Sequence, residues 1–232
     1  MQKIMFDHRR FGLEQAVIDL IKTMTRRLAK LPKGIEPDDV TDVVMGIDEK
    51  GRVYFTLTAK GKTFDIYPKY QIGEEVAIAK AYKDIEEHLD PMKRCMINPW
   101  GSPREHPGWN NKMFTNPYLM PHRIRIKDIK LDRLQDISDE DCRKEGIIYV
   151  QWKQHLKQDI DDFSPQKYKL WDAWTLPKFK EGILDPWADS EPDEFMAKSP
   201  KVAFAVLIFK MMGKKVWYEN PWVFAYTFEL IK

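Results

Sequence analysis

Cysteine is almost missing from this chain: Cys95 and Cys142 are the only two in 232 residues. Neither belongs to a CxxC pair, which argues against both a disulfide framework and a zinc site. The histidines His8, His88, His106, His122 and His155 show no ligand spacing, so no metal and no cofactor is expected. A surplus of one charge sign is missing too. With 38 basic and 36 acidic residues the formal net charge is +2, which gives no global field able to hold nucleic acid unaided. Any anion-binding surface must be local. The longest apolar run, Val202 to Phe209, is far too short to span a bilayer, and the opening MQKIMFDHRR lacks the apolar core of a secretory signal. The expectation is a cytoplasmic protein with no membrane partner. No internal repeat and no low-complexity tract is found.

What is present is enough apolar material for a real core: 43% of residues are hydrophobic and 12% aromatic. Leu13, Ala16, Val17 and Leu20 fall on one face of a helix running from about Gly12 to about Ile21. That helix delivers the chain into Lys22-Thr-Met-Thr-Arg-Arg27. Lys22, Arg26, Arg27, Lys30 and Lys33 follow one another with no acidic residue between Lys22 and Lys33, making this the one credible anion-facing segment. From Val40 to Ile66 the sequence reads as β-hairpins, with turns at Asp48–Gly51 and Lys60–Lys62. A further strand is expected over Glu75 to Tyr82.

Residues 86–121 carry Pro91, Pro99, Pro103, Pro107, Pro117 and Pro121, which remove backbone donors, so an extended surface loop is expected there. Arg123 to Leu131 alternates polar and apolar residues with one slip of register, as a bulged strand would. Ser138-Asp-Glu-Asp141 has a capping-box pattern opening a short helix that Gly146 ends. Residues 148–199 read as a large insertion packed on the body by Trp171, Trp174 and Trp187, and available to a protein partner. Ser199-Pro200 starts another helix, ended by Gly213 and apolar nearly all round, hence expected to be the most buried. The last strand, from about Trp222 to Ile231, places Trp222, Phe224, Tyr226, Phe228 and Leu230 on one face and is expected at the centre of a sheet.

Four stretches, in order and spacing, resemble one family. The helix followed by Lys22-x-x-Thr25-x-Arg27 resembles the G-x-K-x-x-[E/T]-x-R signature of the ASCH domain, a relative of the PUA domain. The strand after Gly73 resembles that family's Gly-acid strand. The short helix ending in Glu145-Gly146, and Asn220-Pro-Trp222-Val, resemble its later elements. Together they cover a little over half of the chain. One departure is Leu20 where the signature has glycine, a residue that would allow positive φ or close approach of a ligand. The resemblance implies an α+β fold: a PUA-like (ASCH) mixed β-barrel with flanking helices, formed by 1–232 as a single domain with insertions at about 86–121 and 148–199.

It also implies what the cleft does. The first expectation is a binding module for RNA or a modified nucleoside, with Arg26, Arg27 and Lys30 meeting phosphate or base, and Trp109, Asn110 and Asn111 supplying the aromatic face and amides that stack and edge-read an unpaired base. Trp109 reads more readily as a plug beneath the proline-rich loop. A second reading follows from a branch of the family that deacylates N4-acetylcytidine with a lysine, a threonine and a glutamate. Lys22, Thr25 and Glu145 match these as proton acceptor, nucleophile and donor to the leaving amine. Glu145 draws notice by itself, because a carboxylate in a last helical turn faces the negative end of the dipole unless a cation answers it. A third reading is a phage- or mobile-element-associated accessory protein whose insertion makes protein contacts and whose cleft is vestigial.

Overall fold

The computed structural model describes residues 1–155, 168–179 and 197–231. A five-stranded mixed sheet forms its centre, in the order β1 (Gln2–Ile4), β6 (Glu75–Ile78), β7 (Arg123–Arg133), β10 (Trp222–Ile231) and β2 (Met24–Leu28). β1 runs parallel to β6, and the other pairs are antiparallel. A second sheet holds β3 (Val40–Ile47), β4 (Val53–Ala59) and β5 (Lys62–Ile66). The third is the pair β8 (Ile148–His155) and β9 (Tyr168–Thr175). The helices among the described residues are α1 (Leu13–Ile18), α2 (Pro91–Ile97), α3 (Asp139–Lys144), α4 (Pro200–Met212) and α5 (Lys214–Glu219). The molecule is therefore mixed α+β with several sheets, but the described strands do not close into the barrel that the family resemblance implies.

Strand alternation sorts the central sheet into two faces. Phe224 meets the ring of Phe55 from β4 at 5.8 Å, so the second sheet covers that face. The guanidinium of Arg26 lies 5.9 Å from the ring centre of Phe204 in α4 and bonds Asp141 of α3, so these helices cover the other. Ile124, Ile126, Ile129 and Leu131 of β7 share one core with Phe55, Phe204 and Tyr226. The slip in the β7 pattern is a bulge: Thr227 pairs with Asp128 but Phe228 with Ile126, leaving Lys127 as the extra residue. β10, hydrogen-bonded on both sides, is central as its apolar pattern requires.

Two expectations change. The proline-rich stretch is not an extended loop. Pro91 opens α2, and Pro103, Pro107 and Pro117 each open a single 3-10 turn, with Asp90, Ser102, His106 and Asn116 as side-chain caps. Proline at the first helical position gives up no needed donor, so the residues that looked like breakers act as starters. These turns enclose a small core of their own around Tyr82, Ile85, Leu89, Ile97 and Leu119. Second, α4 is buried along one face only, through Ala203, Phe204, Leu207 and Ile208, while Val202 is 50% exposed. Of the three tryptophans expected to pack the insertion on the body, Trp174 does so, against the main core beneath the Arg143 guanidinium. Trp187 and the Trp171 side chain lie outside the described residues. No helix among the described residues is long and apolar enough to cross a membrane.

Candidate functional site

The short helix α3 begins at Ser138, whose side chain accepts from the Asp141 amide. It ends in Glu145 and in Gly146, which turns the chain at φ 101. A Cβ at Gly146 would sit 3.4 Å from the Cβ of Lys22, an ordinary packing contact, so it is the positive φ of the turn that calls for glycine. Backbone bonds fix the meeting of this turn with the segment entering β2. The Thr23 amide donates to the Lys144 carbonyl, and the Phe228 amide donates to the Thr23 carbonyl. Before it, Leu20 adopts φ 61. The leucine that replaces the signature glycine thus takes the left-handed conformation that glycine favours.

Lys22 and Glu145 come together, as the resemblance implies. Lys22 Nζ donates to Glu145 Oε2 at 2.5 Å and to the Glu145 carbonyl at 2.8 Å. Glu145 Oε1 accepts from Arg26 at 3.3 Å, and Arg26 also bonds Asp141 at 3.0 Å. Lys22 and Arg26 are therefore the cations that answer the carboxylate at the helix end. Lys144, nearer in sequence, goes to Glu140 instead. Burial pulls Lys22 below the ordinary lysine value, Glu145 opposes this, and Arg27 and Arg26 add to the lowering. Thr25 is buried nearby, opposite Tyr226 on β10, but Lys22 gives its two hydrogen bonds to Glu145 and none to Thr25. Lys22, Thr25 and Glu145 are 2%, 4% and 4% exposed, and none of them lines a described cavity.

The cavity lies where β2 alternates. Arg26 points toward α3 and α4, and Arg27 to the opposite face. There a cleft of about 640 Å³ is lined by Lys3, Met5, Arg27, Lys30, Tyr67, Lys69, Tyr70, Phe224 and Tyr226, among others, with no acidic side chain in its lining. Arg27 is anchored by a 2.7 Å bond to the Met5 carbonyl and lies over the Phe6 ring. Burial pulls its guanidinium below the usual value, yet arginine remains a cation. Lys30 has no ion pair or hydrogen bond among the described residues, and Lys69 lies over the Tyr70 ring. Tyr226 accepts from the Lys69 amide at 3.0 Å, and burial pushes its phenol up to about 12.

Of the residues proposed from sequence, then, Arg27 and Lys30 reach the cleft, while Arg26 is committed to the buried network. Trp109, Asn110 and Asn111 lie elsewhere. Trp109 packs half-buried against the smaller core with Arg104 over its ring, which is the plug reading. Asn110 and Asn111 line a separate cleft of about 310 Å³ with Asp7, His8, Arg9, Glu14, Asp84 and Lys112. Sequence reasoning missed Lys3, Tyr67, Lys69 and Tyr70. The interleaved Tyr67-Pro-Lys-Tyr70 carried the signal, being aromatic and basic within four residues. Cys142 is buried, and its thiol is pushed up to about 12, as fits a small apolar filler of α3. Among the described residues no group of three or more His, Cys, Asp or Glu side chains is placed to hold a metal ion. No family model, no curated protein and no solved structure matches the chain.

Proposed function

We propose that this chain is an ASCH-type, PUA-like domain of the cytoplasm that binds RNA or a modified nucleoside in the cleft around Arg27, and that the 148–199 insertion serves a protein partner. The observation that carries the reading is the composition of that cleft. Arg27, Lys30 and Lys69 gather about Tyr67, Tyr70, Phe224 and Tyr226 without a carboxylate, in a chain whose overall charge is nearly balanced. Cations meet phosphate oxygens, and aromatic rings give bases a stacking surface. The test is fluorescence anisotropy with a labelled single-stranded RNA. Affinity should fall as salt rises, with a log–log slope of about −0.7 per phosphate contact, and Arg27→Ala should weaken binding and flatten that slope. Absent or salt-independent binding overturns the reading.

The contact between Lys22 and Glu145 favours one second reading, hydrolysis of an N4-acetylcytidine-like amide. Thr25 Oγ would add to the acetyl carbon as Lys22 took its proton, the C–N bond would break as Glu145 gave a proton to the departing amine of cytidine, and water would then cleave the acetyl-threonine ester to release acetate. Purified protein should then release acetate from N4-acetylcytidine, and Lys22→Ala should abolish release while the fold survives. Intact protein without turnover removes this reading and leaves the binding module.

A further inference from the structure

The cleft around Arg27 and the smaller one beside Asn110 are neighbours. Residues 3–9 run from one into the other: Lys3, Ile4 and Met5 line the first, and Asp7, His8 and Arg9 line the second. Met5 and Asp7 are two residues apart, at most about 7 Å of extended chain. The dividing wall is held by lysines. Lys3 Nζ, from the first cleft, donates to the carbonyls of Met113 at 2.6 Å and Thr115 at 2.7 Å. Lys112, from the second, donates to the carbonyl of Phe6.

The second cleft differs in chemistry from the first. The Oδ1 atoms of Asn110 and Asn111 are taken, by Lys83 and by the Met113 amide, so what each side chain has left to offer is its NH₂. The Asp84 carboxylate and the Arg9 guanidinium line the same space with no side-chain hydrogen bond or ion pair among the described residues. His8 is held by the buried Glu14 carboxylate at 3.4 Å and is 43% exposed. Amide donors, a free carboxylate, a free guanidinium and an imidazole face are what is needed to read a base edge beside a phosphate. The first cleft, cationic and aromatic, offers stacking and phosphate contact with few edge-reading groups.

We infer that the two clefts are successive subsites for one single-stranded oligonucleotide, with backbone and one base held at Arg27, Lys30 and Tyr70 and the adjoining base read by Asn110, Asn111 and Asp84. This rests on the binding reading above and narrows its ligand from a nucleoside to a polynucleotide. A ligand that fills both subsites gains the second contact at high effective concentration, so affinity must grow with length.

The test is calorimetric titration of the full chain with cytidine monophosphate, the dinucleotide and the octanucleotide, beside the Arg9→Ala/Asn110→Ala and Arg27→Ala variants. Arg9 and Asn110 are exposed, and an unchanged melting curve verifies that the double variant is folded. The octanucleotide should bind about tenfold or more tighter than the mononucleotide. The Arg9→Ala/Asn110→Ala variant should lose that gain and keep its mononucleotide affinity, whereas Arg27→Ala should weaken both. Equal affinity at every length, or a double variant that still gains with length, overturns the two-cleft site and leaves the single-cleft reading standing. Failure of every length to bind overturns both.

Discussion

The ammonium of Lys22 lies 2.5 Å from Oε2 of Glu145, joining positions 123 residues apart through a bond that water does not reach. Two charges taken out of water are tolerable only while they answer each other. Removing one leaves the other buried, at a cost of about 3–5 kcal/mol. Lys22→Met is therefore expected to lower the unfolding free energy in urea by about 3 kcal/mol, and Glu145→Gln by a similar amount. The double variant should lose clearly less than the sum, because the second change removes the charge that the first left stranded. Losses that simply add would mean the two groups are uncoupled.

The same lysine sets a pH dependence. Its folded-state value lies below the ordinary 10.5, with burial as the largest cause. Between those two values the unfolded chain holds more protons than the folded one, so the stability contributed at Lys22 rises as pH rises through the window and levels off above 10.5. The stability of the wild type relative to Lys22→Met should accordingly grow as pH rises toward that upper limit. Denaturation curves of both proteins across the range measure this, and a constant difference would contradict it.

Leu20 supplies a prediction of opposite sign. It is held at φ 61 and is 65% exposed, so its backbone is strained while its side chain buries little. The left-handed conformation costs an L-residue about 1–2 kcal/mol. Leu20→Gly removes that strain and gains back chain entropy in the unfolded state, leaving a net increase in stability of about 0.5–1 kcal/mol. A higher urea midpoint with unchanged slope is the expected result. A lower midpoint would show that the leucine side chain makes a contact worth more than the turn.

Much of the fold could be read from local pattern. The hairpins of β3 to β5, the bulged β7, the Ser138 cap and the apolar β10 each follow from side-chain period or capping chemistry, and each stands where it was expected. The proline-rich stretch departs from the expected loop because proline has two meanings. The one that applies depends on whether a cap precedes it, and Asp90, Ser102 and Asn116 do precede theirs. The site divides the same way. The run of cations from Lys22 to Lys33 was visible, but its partition was not. Burial of Lys22 and Arg26 against α3 is set by residues more than a hundred positions away, and no short window of sequence contains them. Lys69 and Tyr70 join the cleft for a similarly distant reason, the bond from the Lys69 amide to Tyr226.

Arg26 and Arg27 are adjacent in the chain yet belong to different halves of the molecule, one locked against two carboxylates and the other open to the cleft. Sliding β2 by one position along β10 would exchange them. Every other side chain of the strand would change face with them, turning buried Thr25 away from the Tyr226 side and buried Met24 toward it. The hydrogen-bond ladder from Met24 to Leu28 is thus as much a determinant of what this surface can hold as any side chain on it, and the left-handed turn at Leu20 is the pin that fixes where the ladder begins.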